Sequence, residues 1–257
     1  MPETFRPPDL VAELRAAILA LPSHRAAPVR ALRREYTRRL KAAPARAVVQ
    51  TALRLIEDTG LTERFVAYEL VLFHRAALAS LTARDLLRFG RGMDRWEATD
   101  TFGCYLSGPA WREGQVPDSL IERWARSRDR WWRRAALVST VPLNLRARGA
   151  RAEHGDAPRT LAICALLVAD RDDMVVKAMS WALRELARRD PAAVREFMQA
   201  RGSALAPRVR REVDNKLRTG LKNPAKSLVK NPRNRIGRRS ASPDPVSRVP
   251  KSAKRVI

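Results

Sequence analysis

The segment Val175-Val176-Lys177-Ala178-Met179-Ser180-Trp181-Ala182-Leu183-Arg184-Glu185-Leu186 puts two chemistries on two sides of one helix. Val175, Met179, Ala182 and Leu186 fall at i, i+4, i+7 and i+11, a single core-facing stripe. Lys177, Trp181, Arg184 and Arg188 follow the same spacing on the opposite side. The rest of the chain has the same grain. Leu, Ala, Arg and Glu, all strong helix formers, dominate it. Only 11 of 257 residues are glycine, which argues against sheet-rich barrels and glycine-loop nucleotide folds. No segment of real length alternates with period 2. Pro28 and Pro44 suit the first turns of helices. The spacing predicts helices at about 9–21, 28–41, 44–58, 62–81, 82–90, 94–107, 117–127, 129–145, 156–169, 173–189, 190–200 and 205–219. The fold class is all-α.

The helices carry a faint repeat. Arg95-Trp96-Glu97-Ala98-Thr99-Asp100, Trp132-Arg133-Arg134-Ala135-Ala136-Leu137 and Val176-Lys177-Ala178-Met179-Ser180-Trp181 superpose loosely. Trp96 to Arg134 is 38 residues and Arg134 to Lys177 is 43. Those intervals lie close to the roughly 40–47 residues of HEAT or armadillo units. The expectation is an α-solenoid of helix pairs with a concave face.

Charge narrows the partner. Lys and Arg total 51 against 27 Asp and Glu, a formal +24, which speaks to partners and not to fold. Residues 221–257 hold 11 Lys/Arg, one acid (Asp244) and five prolines, a net +10. That composition buries too little apolar surface to fold, so the segment reads as a disordered tail behind a 1–220 domain. The domain keeps +14, so its concave face is expected to be basic in its own right. The default partner is a polyanion.

Other classes fall away. Two cysteines, Cys104 and Cys164, give neither a disulfide framework nor a zinc site, and His24, His74 and His154 have no metal-ligand spacing. No metal and no cofactor is expected. The longest apolar run, Leu161 to Ala169, is nine residues and too short to span a bilayer. The N-terminus lacks the pattern of a secretory signal. A cytoplasmic monomer without a membrane partner is the expectation.

Three constellations remain. In the first, Trp181 lies among Lys177, Arg184 and Arg188 on a face that the apolar stripe does not use. Cations there take phosphates and an indole packs on sugar or base, unless a second helix covers Trp181. In the second, Ala98, Phe102 and Tyr105 or Leu106 form a buried stripe, and Trp96 and Asp100 are i, i+4 neighbours on another face. Gly103, one turn on, is expected to leave open space beside the carboxylate. A lone Asp is ordinarily a solvated charge, but on a phosphate-seeking surface it weakens binding. Its alternative role is to stabilise positive charge on a sugar or to hold a water. In the third, Arg133 and Arg134 enter a helix that continues as Ala135, Ala136, Leu137 and Val138. Arg134 there meets either a phosphate or a local acid such as Asp129. No nucleophile with an adjacent base, P-loop or dinucleotide fingerprint is present.

On Trp96-x-x-x-Asp100, Trp132-Arg133-Arg134-Ala135-Ala136-Leu137 and Val176-Lys177-Ala178-Met179-Ser180-Trp181-Ala182-Leu183-Arg184-Glu185, the chain resembles the DNA alkylation repair family. These are the HEAT-like-repeat DNA glycosylases of the AlkD type. The resemblance extends from about 62 to 218. It implies a solenoid that cradles double-stranded DNA containing alkylated purines on its basic face. It implies hydrolysis of the N-glycosidic bond of cationic alkylated purines, N3-methyladenine and N7-methylguanine, without base flipping. By motif it makes Asp100 the catalytic carboxylate, sets Trp96 and Trp181 around the lesion's sugar, and gives Arg134 a backbone contact. Arg133, Lys177, Arg184 and Arg188 join it as DNA-binding cations. Arg95 and Glu97 beside Trp96 break the family's aromatic–aromatic–acid run. Some relatives lack the Asp and Trp and bind DNA without excision, so a non-catalytic DNA-binding HEAT-repeat protein that recognises distorted DNA is the alternative.

Overall fold

A computed structural model describes residues 7–57, 60–145 and 155–224. Contacts divide the chain into two units, Met1–Lys222 and Asn223–Ile257. Nearly all of the basic tail, and most of the Arg-rich stretch 144–155, lie outside the described residues. The described residues hold helices and turns and no strand.

In chain order the first unit contains α1 (Pro7–Leu19), α2 (Ala26–Arg39), α3 (Ala45–Leu55), α4 (Leu61–Leu72), α5 (Arg75–Ala79) and α6 (Ala83–Gly90). Then come α7 (Trp96–Phe102), a π turn (Gly103–Ser107), α8 (Gly108–Arg112), α9 (Asp118–Ala125) and α10 (Arg130–Ser139). The last are α11 (Ala157–Leu166), α12 (Asp173–Leu186), α13 (Pro191–Arg201) and α14 (Pro207–Thr219). Local chemistry sets many of these boundaries. Thr82 and Asp85 form a reciprocal capping box on α6. Asp129, Asp156, Asp172 and Asp190 accept backbone N–H bonds at the starts of α10, α11, α12 and α13. Gly220, in the left-handed region at φ 71°, ends α14.

The helices stack in two rows. One row runs α2, α4, α7, α10, α12, α14, each packed on the next. The other has α1 on α3, α3 on α5 and α6, α9 on α11, and α11 on α13. Such rows are what successive helix pairs of a solenoid produce, since one pair cannot bury its apolar face without the next. The core between them is continuous, with Leu14, Ile18, Leu55, Leu70, Leu86, Leu106, Ile121 and Leu137 essentially inaccessible. Burying one such side chain contributes about 1.5–3 kcal/mol. An aromatic chain joins successive helices: Tyr68 meets Phe89 and Phe102, and Phe102 meets Trp124 and Trp132. It fixes α7 between α4 and α10.

Three expected elements differ in form. The stretch 129–145 ends its α-helix at Ser139 and closes with a 3-10 turn over Pro142–Asn144. The stretch 62–81 breaks at Phe73–His74, where the His74 ring accepts the N–H of Ala77 and starts α5. The stretch 94–107 continues through the π turn into α8. No helix among the described residues is long and apolar enough to cross a membrane.

Candidate active site

The site begins with how closely α7 approaches α10. Gly103 sits flush against α10: a Cβ there would lie 2.6 Å from Val138 Cγ1 and 3.3 Å from the Ser139 nitrogen. The expectation of open space at Gly103 is therefore corrected. The missing side chain lets two backbones meet, as glycine does where helices approach closely. One turn back along each helix, the same approach brings Asp100 to Arg134. Four residues after Gly103, Ser107 meets Ser139 itself, and their hydroxyls are 2.6 Å apart. A π turn beside this contact adds a residue to the helix and re-aims the side chains of the next turn, a feature frequent at functional sites.

Asp100 and Arg134 form a two-pronged pair. Arg134 Nε donates to Oδ1 and Nη2 to Oδ2, both at 2.8 Å. Nη1 donates to the carbonyl of Met174, in the first turn of α12, at 2.5 Å. One guanidinium thus ties α7, α10 and α12 together. Its side chain is 6% exposed and that of Asp100 is 18% exposed. Burial pushes the Asp100 carboxyl above the usual carboxylate range, Arg134 pulls it back, and nearby Glu97 adds to the rise. Arg134 thus meets an acid, as one of the two openings in the sequence allowed, but a distant one. Asp129 instead caps the Trp131 nitrogen.

Around this pair the other residues take distinct positions. Trp96, one turn before Asp100 on α7, is 50% exposed. Trp181 on α12 is half-buried and leans on the core. One turn past Trp181, Glu185 acts with Asp100 on the Cys104 thiol. Burial and these two charges push that thiol up to about 12, so it stays protonated at neutral pH and is no nucleophile.

The predicted phosphate-binding residues fall into two groups. Arg133 is turned inward with Arg134. It donates to Asp170 at 2.7 Å and to the carbonyls of Ser127 and Arg128. Lys177 is exposed in a surface pair with Asp173 at 2.6 Å, Arg188 is exposed beside Glu185 at 3.6 Å, and Arg184 is half-buried. Sequence reasoning missed Ser180 and Glu212. The Ser180 hydroxyl donates to Glu212 Oε2 at 2.5 Å and accepts from Arg184 Nε at 3.1 Å. Their signal was the separation, since Ser180–Glu212, Asp100–Arg134, Arg133–Asp170 and Arg33–Glu69 are each 32–37 residues apart. That is slightly under one repeat, so the row of helices is bridged by polar rungs. Among the described residues no group of three His, Cys, Asp or Glu is placed to hold a metal ion.

The arrangement offers a partly desolvated carboxylate, locked in orientation by a guanidinium, with an exposed indole one turn away. It suits stabilisation of a developing cation more than proton delivery. No curated protein sequence is significantly similar to this chain. A solved structure described as "Predicted DNA alkylation repair enzyme from Enterococcus faecalis" is similar in fold, with a TM-score of 0.62 over 85% of this chain and 96% of that one at 17% identity. The family model for DNA alkylation repair enzymes matches residues 24–217, from the start of α2 through all but the end of α14. That span contains the row of helices from α2 into α14 and every residue of the site, and the chain belongs to the DNA alkylation repair enzyme family.

Proposed function

We propose that this protein hydrolyses the N-glycosidic bond of cationic alkylated purines, such as N3-methyladenine and N7-methylguanine, in duplex DNA without flipping the base. The observation that carries this reading is Asp100, a partly buried carboxylate clamped by Arg134 one turn from exposed Trp96, on a chain of net +24. A ring-methylated purine already bears the positive charge. When its bond to C1′ breaks, the bonding electrons leave with the base, which departs neutral, and the charge moves to the sugar. Little protonation of the leaving group is needed, so one carboxylate serves where glycosidases use two.

Asp100 faces the sugar charge as it develops. Its partial desolvation strengthens that interaction, and Arg134 keeps it from swinging toward solvent. The burial that raises its proton affinity also suits it to take a proton from the water that adds to C1′. The faces of Trp96 and Trp181 add cation–π stabilisation. In this reading Arg134 is a positioning residue and Arg133 braces the helices. Lys177, Arg184 and Arg188 meet the backbone, and residues 221–257 add accessory charge to the 1–220 domain. The protein acts as a monomer on the nucleoid.

The test is base release by the purified protein from duplex DNA carrying N7-methylguanine. Free base should appear well above the spontaneous rate. Release no faster than the protein-free control would leave only a non-catalytic DNA binder.

A further inference from the structure

A cavity of about 420 Å³ opens where the end of α3, the start of α4 and the end of α6 meet, a region that the chemistry above does not use. That volume lies in the range of about 300–1,000 Å³ typical of small-molecule sites. Leu53 and Ile56 give it an apolar wall, and Arg64, Arg88 and Arg91 set three guanidiniums around it. Gly92, at φ 71°, turns the chain closely around Arg64, since a Cβ there would lie 3.0 Å from Nη2.

Arg64 is half-buried and held in place. Its Nη1 donates to the Tyr68 hydroxyl and the Phe89 carbonyl, both at 3.2 Å, and its Nη2 to the Arg91 carbonyl at 2.8 Å. These acceptors lie at or beside the end of α6, and none is a carboxylate, so the charge is oriented without being neutralised. Its Nε meets no acceptor among the described residues. Arg88 and Arg91 are exposed at the edge. Two acids lie near. Glu57, on the wall, reaches Arg88 at 3.4 Å, and Asp94 pairs with its neighbour Arg95 at 3.0 Å. Arg91 forms no ion pair among the described residues. The wall thus holds three cations against one carboxylate, with apolar side chains beside them.

That combination selects the ligand. A forked guanidinium takes two oxygens of a phosphate, and a phosphate monoester carries close to two charges at neutral pH. The apolar wall asks for an organic part of the same molecule. Leu53 of α3 and Arg88 of α6 stand in the row of helices other than the one that carries Asp100, and Glu57 sets a negative charge where a nucleic-acid backbone would pass. We propose that this cavity binds a nucleoside monophosphate. Arg64, Arg88 and Arg91 hold the phosphate, Leu53 and Ile56 pack on the base, and Glu57 accepts from its N–H groups.

The experiment titrates adenosine 5′-monophosphate, adenosine and inorganic phosphate into the full chain by calorimetry. The nucleotide should saturate one site per chain. Adenosine and inorganic phosphate, each lacking one set of contacts, should bind at least about tenfold more weakly. Arg88→Gln and Arg91→Gln should each weaken the nucleotide about tenfold, as loss of a charged hydrogen bond does. Their melting temperatures should hold, because both side chains are exposed. Arg195→Gln removes the same charge from an exposed position on α13 and should leave nucleotide affinity unchanged. Saturating undamaged duplex should not displace the nucleotide. No saturable binding up to about 1 mM, inorganic phosphate binding as tightly as the nucleotide, or an equal loss in Arg195→Gln would overturn the site. Displacement by duplex would overturn it too, and would give the cavity to the DNA backbone. No arm depends on base release, so each of these results leaves the reading of Asp100 untouched.

Discussion

On α10, each arginine that leads the helix is closed by an acid, with Arg133 and Arg134 turned inward and Arg130 exposed. Arg130 reaches Asp172 at 3.3 Å, Arg133 reaches Asp170, and Arg134 closes on Asp100 and the Met174 carbonyl. On the neighbouring α12 and the turn that follows it, the cations stay nearer the surface. Lys177 shares Asp173 with Arg208 in exposed pairs, Arg188, just past the helix, lies exposed beside Glu185 at 3.6 Å, and the tips of Arg184 are unclaimed among the described residues. Both helices are basic in sequence, yet one set holds the stack together and the other faces outward. The number of cations therefore does not measure the phosphate-binding surface. What matters is which forks a carboxylate one repeat away has already closed.

The comparison can be broken most easily at Arg134. Arg134→Ala strands Asp100 in a partly buried site and removes the link to α12. It should lower stability by about 3–5 kcal/mol, as breaking a buried pair does. Affinity for undamaged duplex should change by less than about twofold, well under the tenfold expected for a lost phosphate contact. Thermal melting and a binding isotherm on the same protein decide it. Lost affinity with an unchanged melting temperature would move Arg134 into the outward-facing set.

Gly103→Ala tests whether the close approach of α7 to α10 is what aligns the pair. The added methyl meets Val138 Cγ1 at 2.6 Å, and overpacking of this kind costs about 1–3 kcal/mol. Base release should slow while duplex affinity holds. An unaffected release rate in a folded variant would show that the approach does not govern the site.

The smallest effect belongs to Lys177. Its pair with Asp173 is exposed, so Lys177→Ala should shift stability by at most about 0.5 kcal/mol. If Lys177 meets a phosphate, the salt slope of duplex binding should flatten by up to about 0.9. A stability loss like that of Arg134→Ala would erase the distinction between the two helices.

Much of the fold is written locally. The stripe Val175, Met179, Ala182, Leu186 is wholly buried, as are Ala98, Phe102 and Leu106 on the helix that carries Asp100. Periodicity reports such faces because one helix decides them. The break at His74 was hidden because its cap is a ring nitrogen, outside the usual Ser, Thr, Asp and Asn signals. Gly103 was legible as special but not in sense, since a missing side chain reads equally as room or as contact until the neighbour is known. The partner of Arg134 was open for the same reason. Asp129 is near in sequence, whereas Asp100 is 34 residues away and near only because α7 and α10 are packed together. The separation, close to the repeat length, was the available clue.

In the proposed reaction the Asp100 charge stabilises the sugar as the base departs. Single-turnover release of N7-methylguanine from duplex DNA, for wild type and Asp100→Asn, with duplex affinity measured alongside, tests it most directly. Asparagine keeps the size and removes the charge, and both proteins are assayed well below the variant's melting transition. The rate should fall by a factor on the order of 10²–10³, the usual cost of losing one such electrostatic stabiliser. Affinity should hold or rise, because a negative charge has left a phosphate-binding surface. Equal release rates for Asp100→Asn and wild type would show that the Asp100 charge has no part in base release.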